Sequence, residues 1–346
     1  MMMALAVAAM LWQPGSPRSD STIRIPVAPG VELAGTITEP GSGAPEAVAV
    51  LISVAGPDDR HLSIGPHRLF GAWADELAVA GIATLRTDDR GVGASGGDWR
   101  QTTFADRASD LCAALRTLRA RFPNVRPGLI GMSEGGGLAL RAAAQCGPVK
   151  FLVLLSTPLR PGGVELAAQV DRLLALAPVP ESTKVAFKAE ASRLTRVAGA
   201  PPPVGGRDSV LAVLRGPFGP NLLPPFRFVP RDPEGQAAFL LSPWYQSQLH
   251  YDVTADLAAR QVPVLGIYGR LDRNIEPEPN AEVLRASGAG ASVHLLDSLN
   301  HVLQEARTGL PDEYPRLPRG IAPAVTRLVI DWILRPRSDS LNPRGH

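Results

Sequence analysis

Cysteine is nearly absent from the 346 residues: Cys112 and Cys146 are the only two. That count excludes a disulfide-built scaffold and a multi-cysteine zinc site. Each falls among alanines and leucines on an apparent helix face, which predicts two buried free thiols. Lysine is equally scarce, with Lys150, Lys184 and Lys188 alone, so arginine carries nearly all the basic charge. A net charge of +2 argues against nucleic acid as the main partner, because phosphate binding needs a clustered excess of Lys and Arg. No apolar run approaches the roughly 20 residues that span a bilayer, so no integral membrane span is expected. What is present is apolar side chain, 45% of the sequence, enough to offset the entropy of ordering and to exclude disorder for the bulk of the chain. The length suits one large domain, or one domain carrying a sizeable insertion.

The first residues, MMMALAVAAMLW followed by QPGSPRSDS, form an apolar stretch before Pro, Gly and Ser. Such a stretch resembles the apolar region of a secretory leader, although no positive segment precedes it. Residues 1–20 are read as a leader or a loose extension. Export to the periplasm is expected if residues 1–16 are a leader, and a cytoplasmic protein otherwise.

From Thr22 a regular alternation begins. Thr22–Val27 and Val31–Glu39 read as strands around the turn signal Pro29-Gly30. Ala47–Val54 is a continuous apolar run of the kind that parallel sheets bury on both faces. His67–Ala80 carries apolar residues at helical spacing and stops at Gly81. Strands are then expected at Ile82–Thr87, Gly128–Met132, Phe151–Leu155, Val264–Tyr268 and Val293–Leu296. Helices are expected at Thr103–Arg121, Glu134–Gln145, Glu278–Ala286 and Ala322–Leu334. Repeated β-α-β units imply an α/β fold, a mostly parallel central sheet flanked by helices.

Between about Pro158 and Asp256 the alternation stops. Helical patterns at Val164–Leu176 and Lys184–Val197 precede stretches dense in Pro and Gly, APPPVGGRDS and RGPFGPNLLPPFRFVPRDP. Proline removes a ladder donor, so these stretches are not sheet strands. They are read as irregular connections of a helical cap. The organisation expected is a core over residues 21–157 and 257–346, with the cap at 158–256.

Chemistry concentrates in Gly131-x-Ser133-x-Gly135, set between a strand and an Ala-rich helix. A serine on so tight a turn holds its hydroxyl above the sheet, and the glycines leave room for strand and helix to pack. The hydroxyl needs a base to take its proton, and the base needs an acid to hold its tautomer. Asp272 follows the strand Val264–Tyr268, and His301 follows Val293–Leu296. Ser, Asp and His in that chain order, each beyond a strand's C-terminal end, lie where open α/β sheets place their ligands. Asp297 is a rival acid near His301; its place at the strand's own end favours Asp272. His61 and His67 are candidates for the mouth of the site. The oxyanion of acyl transfer needs two donors. One is the backbone N–H of Glu134; the other comes from Ala55 or Gly56, since Pro57 has none, and Ala55 is favoured. Asp88-Asp-Arg-Gly-Val-Gly-Ala-Ser95 lacks a P-loop lysine and reads as a structural turn with Asp–Arg pairing. Asp58, Asp59 and His61 lack partners at metal-ligand spacing, so no metal is expected.

These stretches, with AGPDDR, DDRGVGAS, GMSEGG, SPWYQSQLHYD, YGRLDRNI and LNHVLQEARTGLPDEY, resemble the α/β-hydrolase family. The likeness is to its bacterial serine esterases near the serine aminopeptidase-type hydrolases, and it runs roughly from Thr22 to Leu334. It implies Ser133 as nucleophile, Asp272 as acid, His301 as base, and a carboxylic-ester hydrolase that needs no cofactor. The sequence departs from that family where a Gly-Ser-Gly-Pro loop reads Val54-Ala-Gly-Pro57. Nothing in the residues speaks for aminopeptidase activity in particular. A small-molecule ester is therefore the expected substrate. Amide hydrolysis or acyl transfer by the same three residues is the alternative, and a non-catalytic binding protein the remaining one.

Overall fold

A computed structural model describes residues 18–223, 228–288 and 290–335. The leader reading of residues 1–16 lies outside them. In chain order the elements are β1 (Ser19–Ala28), β2 (Val31–Glu39), β3 (Ala47–Ile52), β4 (Ser63–Ile64), β5 (His67–Arg68), α1 (Leu69–Val79), β6 (Ile82–Thr87), α2 (Phe104–Arg121), β7 (Arg126–Met132), α3 (Glu134–Gln145) and β8 (Phe151–Leu155). There follow α4 (Gly162–Leu176), α5 (Glu181–Gly199), α6 (Arg207–Leu214), α7 (Pro233–Leu240), α8 (Pro243–Leu249), α9 (Val253–Ala259), β9 (Val264–Gly269), α10 (Pro277–Ala286), β10 (Ala291–Leu296) and α11 (Pro323–Leu334).

Eight strands form one sheet in the order β1-β2-β6-β3-β7-β8-β9-β10. The first two pairings are antiparallel and the rest parallel. Side chains alternate across a strand, so β3 serves two cores at once. Val48, Val50 and Ile52 join Leu111, Leu115 and Leu138 of α2 and α3 on one face. Ala47, Ala49 and Leu51 join Phe70, Trp73 and Val329 of α1 and α11 on the other. This two-faced burial is why the strand reads as an unbroken apolar run. Helix α2 starts where expected because Thr103 and Asp106 form a reciprocal capping box.

Three readings need correction. The cysteines are not free: Cys112 of α2 and Cys146 at the end of α3 form a disulfide, with Cα atoms 4.9 Å apart. Packing of α2 on α3 brings them together, which local sequence does not signal. The helix expected from His67 begins at Leu69, because His67 and Arg68 pair with Ser63 and Ile64 in a small hairpin. The proline-dense region also holds more helix than expected, with α6 beginning inside the first stretch and α7 on the last residue of the second. Prolines at the first turn of α7 and α8 start those helices, where the missing N–H is not needed. Residues 224–227 of that region lie outside those described. Helices α4 to α9 all fall between β8 and β9, and many of them share an apolar cluster of their own around Leu194, Val210, Leu214, Leu240 and Trp244.

Candidate active site

Ser133 stands between β7 and α3 with φ 54° and ψ −125°, a conformation that costs a non-glycine residue energy and that the surroundings must impose. They do so by close packing. A Cβ on Gly131 would lie 2.2 Å from the Gly135 carbonyl oxygen, and one on Gly135 would lie 2.2 Å from that of Ser53. The Ser133 N–H donates to the Leu155 carbonyl at 2.7 Å, tying the turn to the next strand.

Ser133, Asp272 and His301 come together although they are far apart in the chain. His301 Nε2 lies 3.0 Å from Ser133 Oγ, and His301 Nδ1 lies 2.7 Å from Asp272 Oδ2. The second carboxylate oxygen of Asp272 accepts from the N–H groups of Asn274 and Ile275 at 2.8 and 3.0 Å. Asp272 is 2% exposed, so its acceptor capacity is directed at the histidine and at its own turn. Asp297 is elsewhere: its side chain is 86% exposed and pairs with Arg270. The loop of His301 is fixed by Asn300, whose Oδ1 accepts from the N–H groups of Val302 and Gln304.

A cavity of about 600 Å³ opens over Ser133 and His301. Ala55 and Val54 line it, while Gly56 is held against the Phe228 ring, which a Cβ there would meet at 2.7 Å. The N–H of Glu134 is at the first position of α3 and is one of the donors a helix leaves unused at its start. The Glu134 side chain is not free for substrate, because Arg107 and Gln248 both donate to it. Burial pushes its carboxyl above the ordinary range, and Arg107 opposes the rise.

His61 and His67 are not among the residues lining this cavity. His67 is buried and its Nε2 lies 2.7 Å from the Tyr314 carbonyl oxygen. The Asp88 segment is structural, as expected: Asp88 pairs with Arg60 and Arg90 with Asp110, each at 2.6 Å. Sequence reasoning missed Glu165, Leu166 and Gln169 of α4, and Phe228 and Tyr314, all of which line the cavity. Tyr314 falls in one of the motifs singled out above; nothing in the sequence marks Glu165. Among the described residues no group of three or more His, Cys, Asp or Glu is placed to hold a metal ion, and no helix is long and apolar enough to cross a membrane.

A parallel sheet with a serine on a strained strand-to-helix turn, and helices inserted after β8, is the α/β-hydrolase fold. Comparison with known proteins agrees. The family described as serine aminopeptidase, S33, matches residues 67–197. An esterase of Pyrococcus furiosus superposes with a TM-score of 0.54 at 15% identity, over 91% of this chain and 90% of that one. A proline iminopeptidase of Mycobacterium smegmatis gives 0.55 at 14% identity, over 90% and 97%. A hydrolase of Pseudomonas aeruginosa gives 0.51 at 21% identity, over 90% and 98%. No curated protein matches the sequence significantly.

Proposed function

We propose that this protein is a serine hydrolase that cleaves short-to-medium acyl esters through an acyl-enzyme. The observation that carries the reading is the unbroken chain from Ser133 Oγ to His301 to Asp272, with spacings of 3.0 and 2.7 Å, whose serine and histidine line one cavity. His301 Nε2 takes the Ser133 proton as Oγ attacks the ester carbonyl. The oxyanion is met by the N–H groups of Glu134 and Ala55. The protonated imidazole then gives its proton to the departing alcohol, and water, deprotonated by the same nitrogen, releases the acid. Asp272 holds the tautomer throughout. Apolar lining from Val54, Leu166, Phe228, Ile275 and Val302 suits an acyl chain.

We also propose that the protein works in an oxidising compartment. The Cys112–Cys146 disulfide supports this, since such bonds seldom persist in a reducing cytosol. Cell fractionation tests it, with recovery in the cytosol as the contrary result.

The activity is tested with p-nitrophenyl esters from acetate to laurate beside the matching p-nitroanilides. Turnover of esters with little or none of anilides is expected. Equal turnover of anilides would replace the ester reading by amide hydrolysis, and inertness towards both would remove it.

A further inference from the structure

Helix α4 has 15 residues and buries one, and that one is an acid. Glu165 is 8% exposed. Its Oε1 accepts from Arg160 Nε at 2.7 Å and from Asn280 Nδ2 at 2.9 Å. Asn280 is itself fully buried and fixed, with its own oxygen accepting from the Leu159 N–H at 2.6 Å. The other carboxylate oxygen of Glu165, Oε2, is buried and has no hydrogen-bond partner. A buried acceptor left unpaired is costly, so a scaffold that holds one in place calls for a donor from outside the protein. Glu165 lines the cavity of Ser133 and His301, and also a second chamber of about 200 Å³ that Tyr245 and Tyr251 line with it. Pro158 and Leu166 border both as well, so Glu165 lies where the two adjoin.

We propose that Glu165 Oε2 accepts a hydrogen bond from the substrate, and that the substrate is an ester bearing a neutral hydroxyl. This rests on the serine-esterase reading. The charges around Glu165 decide for a neutral donor. Arg160 bonds both Glu165 and Glu276, each at 2.7 Å, and Arg172 lies 3.8 Å from Glu276. The third acid nearby, Asp272, is already committed to His301 and to its own turn, so Arg160 and Arg172 offset the two glutamates that remain. An ammonium group beside Glu165 would meet the Arg160 guanidinium bonded to the same carboxylate, whereas a hydroxyl needs only the acceptor.

The conservative variant turns the contact round. Arg160 and Asn280 both donate to the Oε1 position, so in Glu165→Gln the amide oxygen takes that place and the NH2 faces the cavity. The test is a set of matched hydroxyalkyl, methoxyalkyl, aminoalkyl and alkyl esters, with the substituent varied on the acyl and the alkoxy side. The wild type is expected to favour a hydroxyalkyl ester by roughly 10- to 100-fold in kcat/KM over its methoxy and alkyl partners. In Glu165→Gln the methoxy ester should gain on the alkyl ester, because the new NH2 donates to an ether oxygen. A wild type that treats hydroxyl and alkyl esters alike would overturn the proposal, and is the result expected if a fixed water fills the place. Preference for the aminoalkyl ester would overturn it too. If no ester is hydrolysed, calorimetric titration with the corresponding amides reads the same contact without turnover. Tighter binding of the hydroxylated amide than of its methoxy partner, a difference lost in Glu165→Gln because both oxygens accept from the new NH2, would then keep the Glu165 contact while the esterase reading falls; equal binding to the wild type would overturn both.

Discussion

All residues of β3, β8 and β9 are buried, whereas α4 buries Glu165 alone and leaves Val164, Leu173 and Leu176 at least 41% exposed. The sheet strands are held from two faces, and their C-terminal ends are correspondingly rigid. Ser133, Asp272 and the Ala55 loop stand on the ends of β7, β9 and β3, whereas His301 follows the half-buried edge strand β10 and is fixed by its own Asn300 loop. The cap helix is held by polar ties more than by apolar burial, and brings Glu165, Leu166 and Gln169 over the same cavity. Under the proposed reading, reaction chemistry that needs precise placement rests mostly on the firmly packed strands, and substrate choice on the cap helix.

The contrast can be broken at several points. Ser133→Ala should lower ester hydrolysis by about 10⁶-fold with the melting temperature unchanged, measured on a p-nitrophenyl ester. Asp272→Asn should cost about 10⁴-fold, because the imidazole loses its tautomer, while Asp297→Asn on the exposed strand end changes the rate less than about twofold. The reverse order would make Asp297 the acid. Phe151→Ala, in the fully buried β8, should destabilise the fold by about 3–5 kcal/mol in urea titration. Reduction of the Cys112–Cys146 bond, which closes a separation of 34 residues, should cost about 3–4 kcal/mol by the same titration. Leu173→Ala, 41% exposed on α4, should shift stability by less than about 0.5 kcal/mol. A loss as large as that of Phe151→Ala would show the cap to be held as firmly as the sheet.

The same contrast explains which parts were legible in the sequence. The strands announce themselves because burial on two faces leaves no polar position, as in Phe151–Leu155. Ser133 is legible from its flanking glycines, and Asp272 and His301 from following apolar strands. The disulfide was not, because Cys112 and Cys146 meet only through the packing of two helices. Nor was α7, since Pro233 at the end of the proline-dense stretch reads as a breaker until seen to occupy the first turn. Glu165 gives no local signal at all: Arg160 lies five residues away, but Asn280, which fixes the same oxygen, lies more than a hundred residues along the chain.

The most direct test of the central claim is labelling with a fluorophosphonate, with the adduct located by peptide mass and ester hydrolysis followed in parallel. The expected result is one adduct, on the peptide containing Ser133, formed in step with loss of activity and absent from Ser133→Ala. An adduct on another residue, or ester turnover that survives full labelling of Ser133, would contradict it.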